Sequence, residues 1–116
     1  MTATEFYILD ETGERPVPCL DPWAWADWYM DFTHRRVART FIGGDIFIST
    51  VFLALDHSQR SVPKLWETMV FRMQQDGEMI ELDCQQCAGN REQAQAQHMD
   101  ICERVRAVLA LDLEPA

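Results

Sequence analysis

The stretch from Arg36 to Phe71, RVARTFIGGDIFISTVFLALDHSQRSVPKLWETMVF, reads as three consecutive strands. Each run is built from β-branched, aromatic and other apolar residues, the side chains that suit a pleated, half-buried surface. Gly43, Gly44 and Asp45 separate the first two runs, and a polar loop from His57 to Lys64 separates the second from the third. Ile46 to Leu55 is apolar at odd and even positions alike, the pattern of a central strand covered on both faces. A few polar residues stand in these apolar surroundings: Asp56, His57, Glu67 and Thr68.

Working outward, Glu5 to Asp10 (EFYILD) is a short strand stopped by the turn-forming residues that follow, and Pro16 and Pro18 keep the next residues extended. Asp21-Pro22 is a helix start, because Asp accepts orphan amide hydrogens and Pro at the first helical position loses no bond. Trp25, Trp28, Tyr29 and Phe32 recur at helical spacing, and the helix is expected to end near Thr33. Leu65 to Met73 and Met79 to Cys84 are strands joined through an Asp-Gly turn. Asn90, with Gln93 three residues on, forms a capping box for a last helix whose inward stripe is Ala94, His98, Ile101, Val105, Val108 and Leu109. The order β-α-β-β-β-β-α predicts an α+β fold: an antiparallel sheet of four to five strands packed by two helices, a single domain over residues 1–116.

Composition narrows the function classes. With 116 residues and 47% hydrophobic content, the chain can bury a core and is not of disordered type. No apolar run approaches the roughly 20 residues of a membrane-spanning helix. Met1 to Glu5 carries no positive residue and no apolar block follows, so a cytoplasmic protein is expected. In that compartment Cys19, Cys84, Cys87 and Cys102 read as reduced thiols. Ten basic against 19 acidic residues give a net charge of −9, which disfavours direct contact with nucleic acid or anionic membrane. Such a surface serves solubility, or docks on a basic protein groove.

Four constellations could carry chemistry. Cys84, Cys87, His98 and Cys102 supply zinc-ligand types, but a helix starting at Asn90 carries His98 about 12 Å from the position of Cys87. Buried thiols beside a core histidine are therefore the main expectation, with zinc the minority alternative and no other cofactor. Asp56 and His57 at one strand exit, with Glu67 early in the next, would form a general-base pair if the strands bring them face to face. An Asp capping a turn is the plainer reading of Asp56. Arg36 and Arg39, with His57 and Glu67, could hold a small phosphorylated ligand such as a nucleotide signal, or pair with the surplus carboxylates. The first helix holds more indole than one face can bury, so Trp23 or Trp25, beside Asp27 and Asp31, is a candidate anchor for a protein partner. None of the common hydrolase, nucleotide-loop or metalloprotease signatures occurs.

Val17-Pro18-Cys19, Trp25-Ala26-x-Trp28, Arg35-Arg36-Val37-Ala38, the run Ser49 to His57, Glu67 to Phe71 and Glu92-x-Ala94-x-x-x-His98 resemble a group of small phage and prophage proteins with no established activity. The likeness spans roughly Phe6 to Val105, and it departs at Cys84, Cys87 and Cys102, where that group carries no cysteine framework. The resemblance implies a mobile-element context. Small acidic proteins of that origin resemble inhibitors of host defence, anti-CRISPR proteins among them, an association rather than a consequence of fold. The leading expectation is a non-enzymatic protein that binds a host protein, such as a defence or nucleic-acid enzyme, with self-association left open. A nucleotide-sequestering protein is the alternative, and a hydrolase using Asp56, His57 and Glu67 ranks last.

Overall fold

The computed structural model describes residues 5–56, 63–87 and 89–113. The elements run β1 (Tyr7–Leu9), β2 (Pro16–Pro18), α1 (Pro22–Met30), a 3-10 turn (Phe32–His34), β3 (Arg36–Ile42), β4 (Ile46–Phe52), β5 (Trp66–Met73), β6 (Met79–Cys87) and α2 (Arg91–Leu113). This is an α+β fold. The last four strands form an antiparallel meander in the order β3-β4-β5-β6.

Local chemistry explains the elements. Gly43 and Gly44 both take positive φ, 66° and 86°, which lets a three-residue turn set Ile42 opposite Ile46. The Asp21 side chain accepts from Trp23 N and Pro22 opens α1, as read from the sequence. Asn90 Oδ1 accepts from Gln93 N at 3.0 Å and Gln93 Oε1 from Asn90 N at 3.2 Å, a reciprocal capping box at the start of α2. Gly89 precedes it at φ 107°, where a Cβ would overlap the Gln93 side chain.

The first strand departs from the expected order. The two prolines flank Val17 in β2, which pairs with β1 as a separate two-stranded ribbon (Tyr7↔Pro18, Leu9↔Pro16). Proline is tolerated there because the strand has a free edge. The ribbon is tied to the segment after β4, where Phe6 bridges Leu55 and Tyr7 N donates to Ala54 O at 2.9 Å, and Leu9 packs into the core beside Phe52 and Trp66.

Burial in β4 alternates strictly, with Ile46, Ile48, Thr50 and Phe52 buried and the residues between them partly exposed. The buried side packs under α2 through Ala94, His98, Ile101 and Cys102, with Trp66 and Val70 from β5 completing it. Among the described residues, therefore, one face of the meander is covered, where the apolar pattern of β4 predicted two. Val108, expected on the inward stripe of α2, is 56% exposed, and Cys102 takes a buried place instead. Among the described residues no helix is long and apolar enough to cross a membrane.

Candidate functional site

The buried polar residues form one connected cluster. His98 is 2% exposed, and its Nδ1 and Nε2 lie 2.8 Å from Thr50 Oγ1 and Thr40 Oγ1 respectively. Thr50 Oγ1 is 2.7 Å from Thr68 Oγ1, which accepts from Gln97 Nε2 at 2.9 Å. Both ring nitrogens are thus engaged by hydroxyls from β3 and β4, and burial holds the imidazole below its ordinary pKa. A neutral imidazole enclosed in this way positions α2 over the sheet and offers nothing to a substrate. The sequence pointed to His98 and Thr68, but only the strand register sets Thr50 opposite Thr68 and brings Thr40, opposite Ile48 on the neighbouring strand, diagonally beside Thr50 beneath it.

The four zinc-type residues do not converge. Cys84 is exposed opposite Met69, Cys87 sits opposite Trp66 against the α2-side core, and Cys102 is buried on the sheet-facing side of α2. Three positions apart on one strand, with Gln85 and Gln86 between them, Cys84 and Cys87 point to opposite faces. Among the described residues no group of three His, Cys, Asp or Glu side chains is placed to hold a metal ion.

Asp56 and Glu67 are not brought face to face by the strand pairing. Glu67 lies opposite Val51, and Ala54, with φ 65°, turns the chain away so that Asp56 N donates to Glu5 O at 2.8 Å. Glu67 instead accepts from Gln86 Nε2 at 2.9 Å. His57 lies outside the described residues.

The face of the sheet turned away from α2 gathers the predicted ligand residues. Register sets Arg36, Val51, Glu67 and Gln86 in one row across the strands, Arg39, Ser49, Met69 and Cys84 in the next, and Phe41, Phe47, Phe71 and Glu81 in the third. Phe41 stacks on Phe47 at 4.7 Å between centroids, and Phe47 on Phe71 at 6.1 Å. Phe41 is 63% exposed. The Arg36 guanidinium reaches over the Phe32 ring at 5.3 Å, and its enclosed Nε has no hydrogen-bond partner among the described residues. Partial desolvation raises the Cys84 thiol to about 11, helped by a hydrogen bond to Glu67 and the negative charge of Glu67, Glu81 and Asp83. The aromatic row escaped sequence reasoning, because Phe41, Phe47 and Phe71 align only once the register is known.

The outward side of α1 makes a second exposed surface. Trp25 is not part of it: its indole N–H donates to Tyr7 O and Ala54 O at 3.1 and 3.0 Å, and its ring packs on Phe6 and Tyr29. Trp28 turns inward onto Phe52. Trp23, by contrast, is 82% exposed and Met30 79%, with Leu20 just before the helix at 84%. Trp23, Asp27 and Met30 follow i, i+4, i+7 spacing and so share one side, which Asp31 extends. Hydrogen bonds from the Thr33 hydroxyl and amide hold the Asp31 carboxyl below its ordinary pKa.

A groove of about 420 Å³ lies between α2 and β6, walled by Ile101, Val105, Leu109 and Leu82. A hollow of about 450 Å³ lies between the N-terminal ribbon and Trp28, with Arg91 at its edge. Neither is lined by a residue that the sequence had marked as a candidate site residue. Comparison with known proteins returns no relative: no family model, curated protein or solved structure matches the chain.

Proposed function

We propose that this chain is a non-enzymatic, phage-type interaction protein whose outward α1 face docks into a basic, apolar-lined groove of a host protein, of the kind nucleic-acid enzymes carry. The observation that carries the reading is the exposure of Leu20, Trp23 and Met30, each at or above 79%, beside Asp21, Asp27 and Asp31. Large apolar side chains so open on a nine-residue helix contribute nothing to the fold, and tryptophan is the residue type most enriched at binding hot spots. The carboxylates around them, on a chain of net charge −9, favour a positively charged partner and steer its approach.

The test compares the intact protein with the Trp23→Ala/Met30→Ala variant as bait in lysate of the host cell, at low and high salt. A stoichiometric partner held by the parent, lost by the variant and released by salt supports the reading. A partner set that does not distinguish the two baits refutes it. Both substitutions lie on exposed side chains, so the variant keeps its fold and a negative result is interpretable.

A further inference from the structure

We propose that the face of the four-stranded sheet left uncovered among the described residues is closed by a second copy of this chain, giving a two-fold dimer with its sheets face to face and its helices outside. Three observations point there. The first is the pattern of β4, whose partly exposed side carries Phe47 and Val51 where a solvent-facing strand would alternate to polar residues. Together with Phe41, Met69 and Phe71 these residues form a continuous apolar field, and none of the five belongs to either core cluster.

The second is charge. Along the strand order the face is polarised: Arg36 and Arg39 stand on β3 at one side, Glu67 on β5 and Glu81 on β6 at the other, while the phenylalanine row crosses β3, β4 and β5 at one end of the strands. A two-fold axis parallel to the strands lays β3 of one copy over β6 of the other and β4 over β5. Phe47 then meets Phe71 of the second copy, and Arg39 comes within reach of its Glu81, both contacts occurring twice as symmetry requires. The same face is its own electrostatic complement. Edge-to-edge pairing is disfavoured in comparison, because β6 carries Glu81 and Asp83 along its free edge.

The third is size. Four strands about 4.8 Å apart and some seven residues long present roughly 19 by 23 Å, about 440 Å² per copy and about 870 Å² for the pair, the size of a weak, transient interface. Face-to-face sheets pack about 10 Å apart with interdigitating side chains, which stacked phenylalanines flanked by Met69 and Val51 can supply. An interface of that size makes the dimer concentration-dependent. Helix α1 lies on the α2 side through its Trp28–Phe52 contact, so self-association leaves the outward face of α1 free.

The experiment is sedimentation equilibrium of the full chain across about 1–100 µM, the range in which such an interface would dissociate. The mass should rise from 13.5 kDa toward twice that value. Phe41→Glu, at a 63%-exposed site that the fold does not need, should weaken association about ten-fold or more. Arg39→Glu and Glu81→Arg should each weaken it, and the double variant should recover most of the loss, a rescue that only contact between two copies in this arrangement produces. A chain that stays monomeric throughout overturns the proposal. So does a dimer indifferent to Phe41→Glu and Arg39→Glu. A monomer that binds a thymidine oligonucleotide or adenosine monophosphate through Phe41 would assign the face to nucleotides and equally overturn it.

Discussion

Replacing Thr50 with Val isolates the buried polar cluster that fastens α2 to the sheet. Valine keeps the volume and the β-branched shape, so no cavity opens and the strand preference is retained. What disappears is one hydroxyl, 0% exposed, that links His98 Nδ1 at 2.8 Å to Thr68 Oγ1 at 2.7 Å. Thr68 keeps its bond from Gln97, so its loss is one net hydrogen bond, about 1 kcal/mol. His98 Nδ1 is left buried with no partner, which costs about 1–3 kcal/mol. The sum, about 2–4 kcal/mol, is a large part of the roughly 5–15 kcal/mol by which a domain of this size is stable. Urea unfolding followed by tryptophan fluorescence reads it directly, since Trp66 is fully buried. The midpoint should fall with the slope unchanged. Combining Thr50→Val with His98→Leu should cost well under the sum of the two single losses, because the orphaned nitrogen is gone in the double variant. A loss below about 0.5 kcal/mol, or additive behaviour in the cycle, would refute the claim that these atoms act as a unit.

Other consequences are open to measurement. Because burial lowers the His98 pKa, the unfolded chain takes up that proton first as pH falls below about 6.5, so stability declines with acidification there; His98→Gln should flatten the slope between about pH 5.5 and 7 in parallel urea titrations. Trp25→Phe removes the indole donor shared by Tyr7 O and Ala54 O and should cost about 1–2 kcal/mol, with amide exchange accelerating in the N-terminal ribbon more than in β4. Cys84, although exposed, has its thiol raised to about 11 by partial desolvation and by Glu67, and should react slowly with iodoacetamide at neutral pH; Glu67→Gln should speed it, and an unchanged rate by mass spectrometry would contradict the contribution of Glu67.

Local chemistry was legible where neighbouring residues settle it. The Gly43-Gly44 turn, the Asp21-Pro22 start of α1, the Asn90–Gln93 capping box and the meander from Arg36 onward follow from spacings of a few residues, so the α+β architecture could be read from the chain. The same reading failed where the answer depended on distant residues. Trp25 and Trp23 are two positions apart on one short helix, and nothing in their spacing says that the first finds backbone acceptors in β1 and beyond β4 while the second finds water. Cys84 and Cys87 share a metal-like spacing that strand geometry resolves to opposite faces, and Glu67 is drawn away from Asp56 because a left-handed Ala54 takes the chain out of the sheet.

By itself, then, the sequence determined the order and type of the main helices and strands from α1 onward and the negative charge of the chain, properties set by local conformational preference and composition. Only the tertiary structure decided which threonines meet His98, which aromatics line up across the strands and which face of the sheet is open. Those depend on register, and register is fixed by the simultaneous burial of side chains far apart in sequence.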